Sequence, residues 1–352
     1  MTLILELLWG VLVVPCVAFT LMSMIPGKSW VLRICDFPRV QILTVCVLLL
    51  SLELFQRIAG LDLETGFLAS IHPYLLALLV IAFFIQAWWA YRLMPIAPKE
   101  VPDADVSNDD RPVPERDGRS VRLIAANVDY ENEQRESAMQ DLVDQSPDII
   151  ALIEPDEKWE PLIEGNRDAY PHIVKEIREL GRGMALLSRF PIEEQGIRYL
   201  VDEDRPSIWA TLRLPAGDTL QVVVTHPPPP GLPKRQGDGR HSSKKRDIEL
   251  EVIAGIIGER SDENWILTGD FNDVGWSATT LRAKHESGLG DPRVGRGMFN
   301  TFPSRWPLLR YPIDHVLVSP SFSLVSISRL GQIGSDHLPL SAELVLTRGQ
   351  HD

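Results

Sequence analysis

Six short segments of the chain end in side chains that could carry hydrolytic chemistry. Val121–Asn127 runs apolar and then stops at Asn127 and Asp129, Asp148–Ile153 stops at Glu154, and Leu220–Thr225 stops at His226, ahead of four prolines. Trp265–Gly269 stops at Asp270-Phe271-Asn272, Pro312-Ile313 is followed by Asp314-His315, and Gly334-Ser335 by Asp336-His337. Carboxylates and amides suit a hard divalent cation, and a carboxylate beside an imidazole suits proton transfer. Taken singly, an Asn or Asp after a strand is a turn former or a helix cap, and a lone His is a structural residue. Six such ends together point to a site, because binding and catalytic groups are mounted where rigid elements stop. Residues 98–352 contain no cysteine and no Gly-x-Ser-x-Gly. That excludes thiolate chemistry and disulfides there, and leaves an activated water as the expected nucleophile.

The elements that must hold these residues are short and β-branched. Strands are expected at Val121–Val128, Asp148–Glu154, Met184–Ser188, Ile208–Leu214, Leu220–Thr225, Trp265–Thr268, Ile313–Val318 and Leu338–Val345. Helices are expected near Glu133–Gln145, Ser243–Arg260 and Ser277–Ser287. In the second of these, Ile248, Val252, Ile256 and Ile257 recur at the spacing of one helix face. Strands with interspersed helices over this length predict an α/β sandwich.

The charges divide the chain. Residues 1–97 hold five basic and five acidic side chains, so the whole net charge of −13 belongs to residues 98–352. A single soluble domain is thereby excluded. The neutral part carries three apolar runs, about residues 3–24, 40–58 and 73–91, each near the ~20 residues that cross a bilayer. Residues 1–94 are therefore expected to be a transmembrane region. Trp88, Trp89 and Tyr91 stand at the end of the third run, where aromatic rings favour the interface. The basic residues of the first loop and of the chain after the third run place the large domain in the cytoplasm by the positive-inside rule. Residues 95–120, rich in proline and acid, read as an extended tether, and 121–352 as the catalytic domain.

The ordered set of segments resembles the endonuclease/exonuclease/phosphatase superfamily, the DNase I-like proteins, over about Val121–Leu346. The resemblance is carried by Asn127-Val128, Glu154, Gly183 to Ser188-Arg189-Phe190-Pro191, Thr225-His226, Gly269-Asp270-Phe271-Asn272, Ile313-Asp314-His315 and Ser335-Asp336-His337-Leu338-Pro339. It implies a four-layered α/β sandwich and a metal-dependent phosphoester hydrolase. By this resemblance Glu154 is the expected principal Mg²⁺ ligand (Mn²⁺ being the alternative ion), with Asn127 in support and Asp336 for a second metal. Asp270 and His337 are expected to orient and deprotonate water, and Asp314 to orient His337. Asn272 and His226 are expected to bind the phosphoryl oxygens. His315 reads as structural. The run of prolines after His226 is similar to bacterial membrane-anchored members, which implies a multi-pass protein of the plasma membrane.

Three functions fit the sequence to different degrees. A tethered phosphatase or phosphodiesterase, acting on a lipid-linked or small phosphoester at the bilayer, fits the anchor and the acidity. A tethered endo- or exonuclease is the alternative; phosphate contacts dominate nucleic-acid affinity, and here only Lys234–Arg246 is basic enough to supply them. A non-catalytic membrane-anchored binding domain would have lost catalytic positions, and all of them are filled. No disulfide-linked partner is expected.

Overall fold

The computed structural model describes residues 2–60, 66–104, 118–231 and 242–347, with the backbone alone for 2–8 and 66–69. The chain divides into two compact units, one of Met1–Met94 with Gly231–Ser242, the other of Pro95–Pro230 with Ser243–Asp352.

The first unit is helical: α1 (Thr2–Ser23), a five-residue α2 (Trp30–Ile34) that the apolar runs did not announce, α3 (Arg39–Ile58) and α4 (Gly66–Tyr91). Two helices, Arg39–Ile58 and Ser70–Tyr91, are long and apolar enough to cross a membrane by length and composition. The described apolar part of α1 is the shorter Trp9–Ser23; the start of the expected first span lies outside the described side chains. Val13, Cys16, Ile42, Cys46, Leu49 and Leu79 pack between the helices. Gln86 donates to Thr20 Oγ1 at 2.8 Å, both buried, while Leu12, Leu48, Phe55, Phe84 and Trp88 face outward. Polar groups paired inside and apolar groups outside invert the arrangement of a water-soluble bundle.

The second unit contains two sheets. The six-stranded sheet runs β10-β11-β1-β2-β4-β3 and the five-stranded sheet β5-β6-β7-β8-β9. Their ranges are β1 Ser120–Asn127, β2 Ile149–Ile153, β3 His172–Glu176, β4 Met184–Ser188, β5 Ile192–Arg198, β6 Ser207–Arg213, β7 Thr219–Thr225, β8 Trp265–Asp270, β9 Asp314–Val318, β10 Phe322–Arg329 and β11 Leu340–Leu346. Side chains alternate across a strand, so each sheet has two apolar faces to bury. Leu123, Ala125 and Ile149 of one sheet meet Ile208, Val222 and Ile266 of the other in a shared core. On the outer faces, Ile124 and Ile150 pack with Met139 and Leu142 of α5 (Arg135–Asp144) and Ile163 of α6 (Glu160–Gly165). Val223 and Leu267 pack with Leu250 and Ile253 of α7 (Lys244–Glu259) and Ala283 of α8 (Ala278–Ser287). This is the expected four-layered α/β sandwich.

Besides the unexpected short helix α6, three features differ from the expectations. Strands β3, β5 and β10, not expected, are all edge strands; an edge strand is half-solvated and its apolar alternation is diluted. The buried face of α7 carries Arg246, Glu249, Leu250, Ile253, Ala254 and Ile257, whereas Val252 is exposed and Ile248 and Ile256 are half-buried. The helix is rotated from the expected stripe because Arg246 and Glu249 also point inward, where they find polar partners. The expected tether is packed at its start: Val101 joins the core, Glu100 receives Lys284 and the Asp291 N–H, and the Ala104 N–H donates to Leu324 O. One apolar residue and one well-placed acid outweigh the proline-rich composition around them. Residues 105–117 of the tether, and 232–241 of the basic loop, lie outside the described residues.

Candidate active site

Strand direction brings the chemistry together. Strands β1 and β2 are parallel, with Asn127 paired to Ile153, so Asn127 and Glu154 leave the six-stranded sheet at the same end. Strands β7 and β8 are also parallel, with Thr225 paired to Gly269, so His226 and Asp270 leave the other sheet side by side. Strand β9 runs antiparallel to β8 and pairs Asp314 with Asp270. The loop entering β11, which pairs Leu340 with Ala125, supplies Asp336 and His337. The carboxyl ends of two parallel pairs thus meet across the edge of the sandwich.

The close approach of β7 and β8 depends on Gly269. Its φ is +141°, and a Cβ there would lie 1.9 Å from Thr225 O. Only glycine tolerates both the backbone angle and the contact. Glu154 has φ +69° and Asn272 φ +51°, sparsely populated conformations for such residues, as occurs where a site over-determines the backbone. The Glu154 N–H is held by Gly183 O at 2.9 Å. Asn272 is held by three bonds: its N–H donates to Asp270 Oδ1 at 2.8 Å, its Nδ2 to Pro227 O at 3.0 Å, and its carbonyl accepts from Arg246 at 2.8 Å.

The side chains meet in one constellation. Asn127 Nδ2 lies 3.1 Å from Glu154 Oε1 and 3.1 Å from Asp270 Oδ2. His226 Nε2 lies 3.6 Å from Glu154 and 3.7 Å from Asp270. His337 Nδ1 donates to Asp314 Oδ2 at 2.8 Å, which leaves its Nε2 facing Asp270 at 3.6 Å. Asp336, exposed, stands 3.9 Å from the same Nε2. Every residue expected at the site is therefore within this cluster, with Asn272 bound to it through its backbone and its side chain turned to Pro227. Asp129 is the exception among the strand-end acids. Its N–H donates to Asn127 Oδ1 and its carboxylate receives the Glu131 N–H, the bonding of a turn.

Several supporting residues left no sequence signal. Arg205, buried, sits with a guanidinium nitrogen 3.4 Å from His226 Nδ1 and 3.3 Å from its carbonyl. A guanidinium only donates, so Nδ1 accepts and the N–H on Nε2 is turned into the site. Arg246, fully buried, pairs with Asp247 and Asp273 and fixes the loop carrying Asn272. Ser335 Oγ donates to Asn127 O at 2.7 Å and accepts from His337 N at 3.0 Å, tying β1 to the His337 loop. His315 lies outside the constellation: it stacks on Phe271 at 4.3 Å, and its Nε2 donates to Asp273 O while its Nδ1 accepts from Arg293. Burial and the Arg293 charge push its pKa down to about 3, so it is a neutral structural ring.

The electrostatics are unequal. Burial raises Glu154 to about 7, with Asn127 opposing and Asp270 adding. Burial raises Asp270 to about 6, opposed by His337. Burial alone would strip the proton from His337, but Asp314 and Asp270 outweigh it and push the imidazole up to about 10. Asp270, Asp314 and His337 offer ligand atoms within 4.8 Å of one another and could hold a metal ion.

Comparisons with known proteins agree with this geometry. Solved structures share the fold: an endonuclease/exonuclease/phosphatase family protein from Bacteroides thetaiotaomicron superposes with TM-score 0.53 at 19% identity, covering 65% of this chain and 98% of that one. TDP2 of D. rerio, solved with a single-strand DNA product, gives TM-score 0.53 at 17% identity over 64% and 98%. The human Nocturnin catalytic domain, solved with a sulfate anion, gives 0.50 at 19% over 65% and 95%. No curated protein matches the chain. The model of the Endonuclease/Exonuclease/phosphatase family matches residues 124–337, more than half of the chain and every residue of the constellation. The chain belongs to the endonuclease/exonuclease/phosphatase family, whose members are metal-dependent phosphoesterases.

Proposed function

We propose that the protein is a membrane-anchored, Mg²⁺-dependent phosphoester hydrolase acting on a lipid-linked or small phosphoester. The observation that carries the reading is the Asn127 amide held between Glu154 and Asp270, with the Asp314–His337 pair beside it. Two helices long and apolar enough to span a bilayer support the anchor.

The donor set fits a hard divalent cation. Oxygen ligands dominate, and Glu154, whose pKa burial and Asp270 hold up at about 7, gains a counter-charge when a cation binds. Glu154 and Asn127 would hold the ion, with Asp336 at the rim. Asp314 is read as the partner that orients His337, with Glu154 as the principal ligand. When bound, the cation supplies positive charge to the phosphoryl oxygens and lowers the pKa of water.

The remaining work belongs to this chain's own side chains. In-line attack on phosphorus needs a base behind the water and positive or donor groups on the equatorial oxygens. In place of the base expected from the sequence, His337, whose charge Asp314 supports in the metal-free chain, is the positive group on the phosphoryl oxygens. Asp270, oriented by Asn127 Nδ2 and the Asn272 N–H, is the carboxylate that accepts the proton of water. His226, with its Nε2–H turned inward by Arg205, donates to a phosphoryl oxygen or to the leaving oxygen. Asn272 borders the same face and keeps the Pro227 turn in place.

The net charge of −13 argues against non-specific nucleic-acid binding. Within the described part of the basic loop, Arg246 is spent on Asp247 and Asp273 and Lys245 on Asp202. Purified full-length chain, reconstituted in vesicles with Mg²⁺, should hydrolyse a phospholipid headgroup or a polyprenyl pyrophosphate. Plasmid cleavage with no turnover of any lipid or small phosphoester would replace this substrate class by a nuclease.

A further inference from the structure

The large exposed apolar side chains of the catalytic unit are scattered along the described chain (Ile96, Leu180, Tyr199, Val252), with one exception. Trp306, Leu308 and Leu309 are 64%, 87% and 50% exposed and sit in the segment Arg305-Trp306-Pro307-Leu308-Leu309-Arg310. Pro307 opens a 3₁₀ turn, Pro307–Leu309, which makes the tip stiff. The loop is closed at its base by Phe302 and Tyr311, which bond each other's backbones. Exposure of this kind costs solubility without adding to the core, and marks an interaction surface.

Beside the tip lies an open cleft of about 650 Å³ lined by Gln134, Ser304, Arg305, Arg310, Arg329 and Gln332 among others, with no carboxylate in its wall. The guanidinium of Arg310 donates to Ser304 O and that of Arg329 to Asn300 O. None of the three arginines has an acidic partner among the described residues. Against the net charge of −13 that residues 98–352 carry, three uncompensated cations in one cleft are an anion site. Burial, with repulsion from Arg329 adding to it, lowers the affinity of Arg310 for its proton, and an anion in the cleft relieves that repulsion.

The apolar tip and the cationic cleft are contiguous, and their chemistry is that of one partner. We propose that the Arg305–Arg310 loop docks the catalytic unit on an anionic lipid bilayer. Trp306, Leu308 and Leu309 enter the interface, and the Arg305, Arg310 and Arg329 cleft takes a lipid phosphate. Aromatic and aliphatic side chains next to arginine are the composition of an interfacial anchor. The loop also reaches the site. The Phe302 ring lies 4.7 Å from that of His337, and Ser304 donates through N to Asp336 O at 2.7 Å and through Oγ to Ser335 O at 2.8 Å. The docking loop is therefore bonded directly to the segment that carries Asp336 and His337. The proposal goes beyond the hydrolase reading, because docking requires no turnover.

The test uses the full-length chain with Cys16, Cys35 and Cys46 replaced by Ala and a spin label at Leu308→Cys. It is reconstituted in phosphatidylcholine vesicles with or without phosphatidylglycerol. Adding phosphatidylglycerol should move the label from nickel-chelate accessibility to oxygen accessibility, and a label at Val252→Cys should stay in water. Arg305→Gln/Arg310→Gln/Arg329→Gln should abolish the move, whereas Asp270→Asn should keep it, so the result is independent of hydrolysis. A label that stays in water in both vesicle types, or that moves equally in the triple variant, overturns the proposal. Release of the label by inorganic phosphate would overturn the lipid assignment in favour of a free-anion site.

Discussion

The side-chain amide of Asn127 donates to Glu154 and to Asp270, 3.1 Å from each, and so joins a carboxylate of one sheet to a carboxylate of the other. An ionised carboxylate, having no donor, could make neither contact. Replacing Asn127 by Asp puts a third negative charge between two carboxylates that burial already holds above the ordinary range. Asn127→Asp and Asn127→Ala are expected to lower turnover about 10- to 100-fold, the Asp variant more, and both lower the melting temperature because each leaves buried carboxylates without their amide donor. Steady-state kinetics on any hydrolysed phosphoester, alongside a thermal melt, check this.

Asp314 gives His337 its charge. With its folded pKa raised to about 10 against ~6.5 unfolded, His337 stabilises the metal-free fold fully below pH ~6.5. That stability is lost as the pH climbs through about 10. Asp314→Asn removes the main raising charge, so His337 should titrate at lower pH and the alkaline loss of stability should shrink. NMR of the imidazole Cε1–H in the metal-free chain measures the titration, and urea melts at pH 7 and pH 10 measure the stability. An unchanged titration in the variant would dissociate Asp314 from the role given to it here.

Gly269 sets the spacing of His226 and Asp270. Adding a methyl group 1.9 Å from Thr225 O at φ +141° forces β7 and β8 apart. Gly269→Ala is expected to cost on the order of 3 kcal/mol or more. If the variant folds, its activity should fall further than its stability. Equilibrium denaturation and kinetics of the soluble fraction measure the two effects separately.

The site was more legible in the sequence than the scaffold around it. A buried strand that ends in a polar residue is a local pattern, and parallel pairing carries Asn127 with Glu154 and His226 with Asp270 to one edge. Most central strands were readable for the same reason, since β1, β2, β4, β7 and β8 are buried along nearly their whole length and carry mostly apolar residues. The edge strands β3, β5 and β10 were not, because solvent on one side admits polar residues such as Glu193, Glu194 and Gln195 of β5. The rotation of α7 and the packing of residues 95–104 are fixed by long-range contacts such as Arg246 with Asp273, Glu100 with Lys284 and Arg296 with Val101 O. Such contacts have no periodicity. Arg205, which orients His226, was invisible for the same reason.

In the proposed function Glu154 and Asp270 serve a divalent cation and an attacking water in the hydrolysis of a phosphoester. The most direct measurement is release of nitrophenol from bis(p-nitrophenyl) phosphate by the full-length chain, titrated with Mg²⁺ and with Mn²⁺. Turnover should require the cation. Glu154→Gln should raise the cation concentration needed, and Asp270→Asn should abolish turnover at every concentration while the thermal melt stays cooperative. Cation-independent hydrolysis, or an Asp270→Asn chain as active as the wild type, would contradict the account.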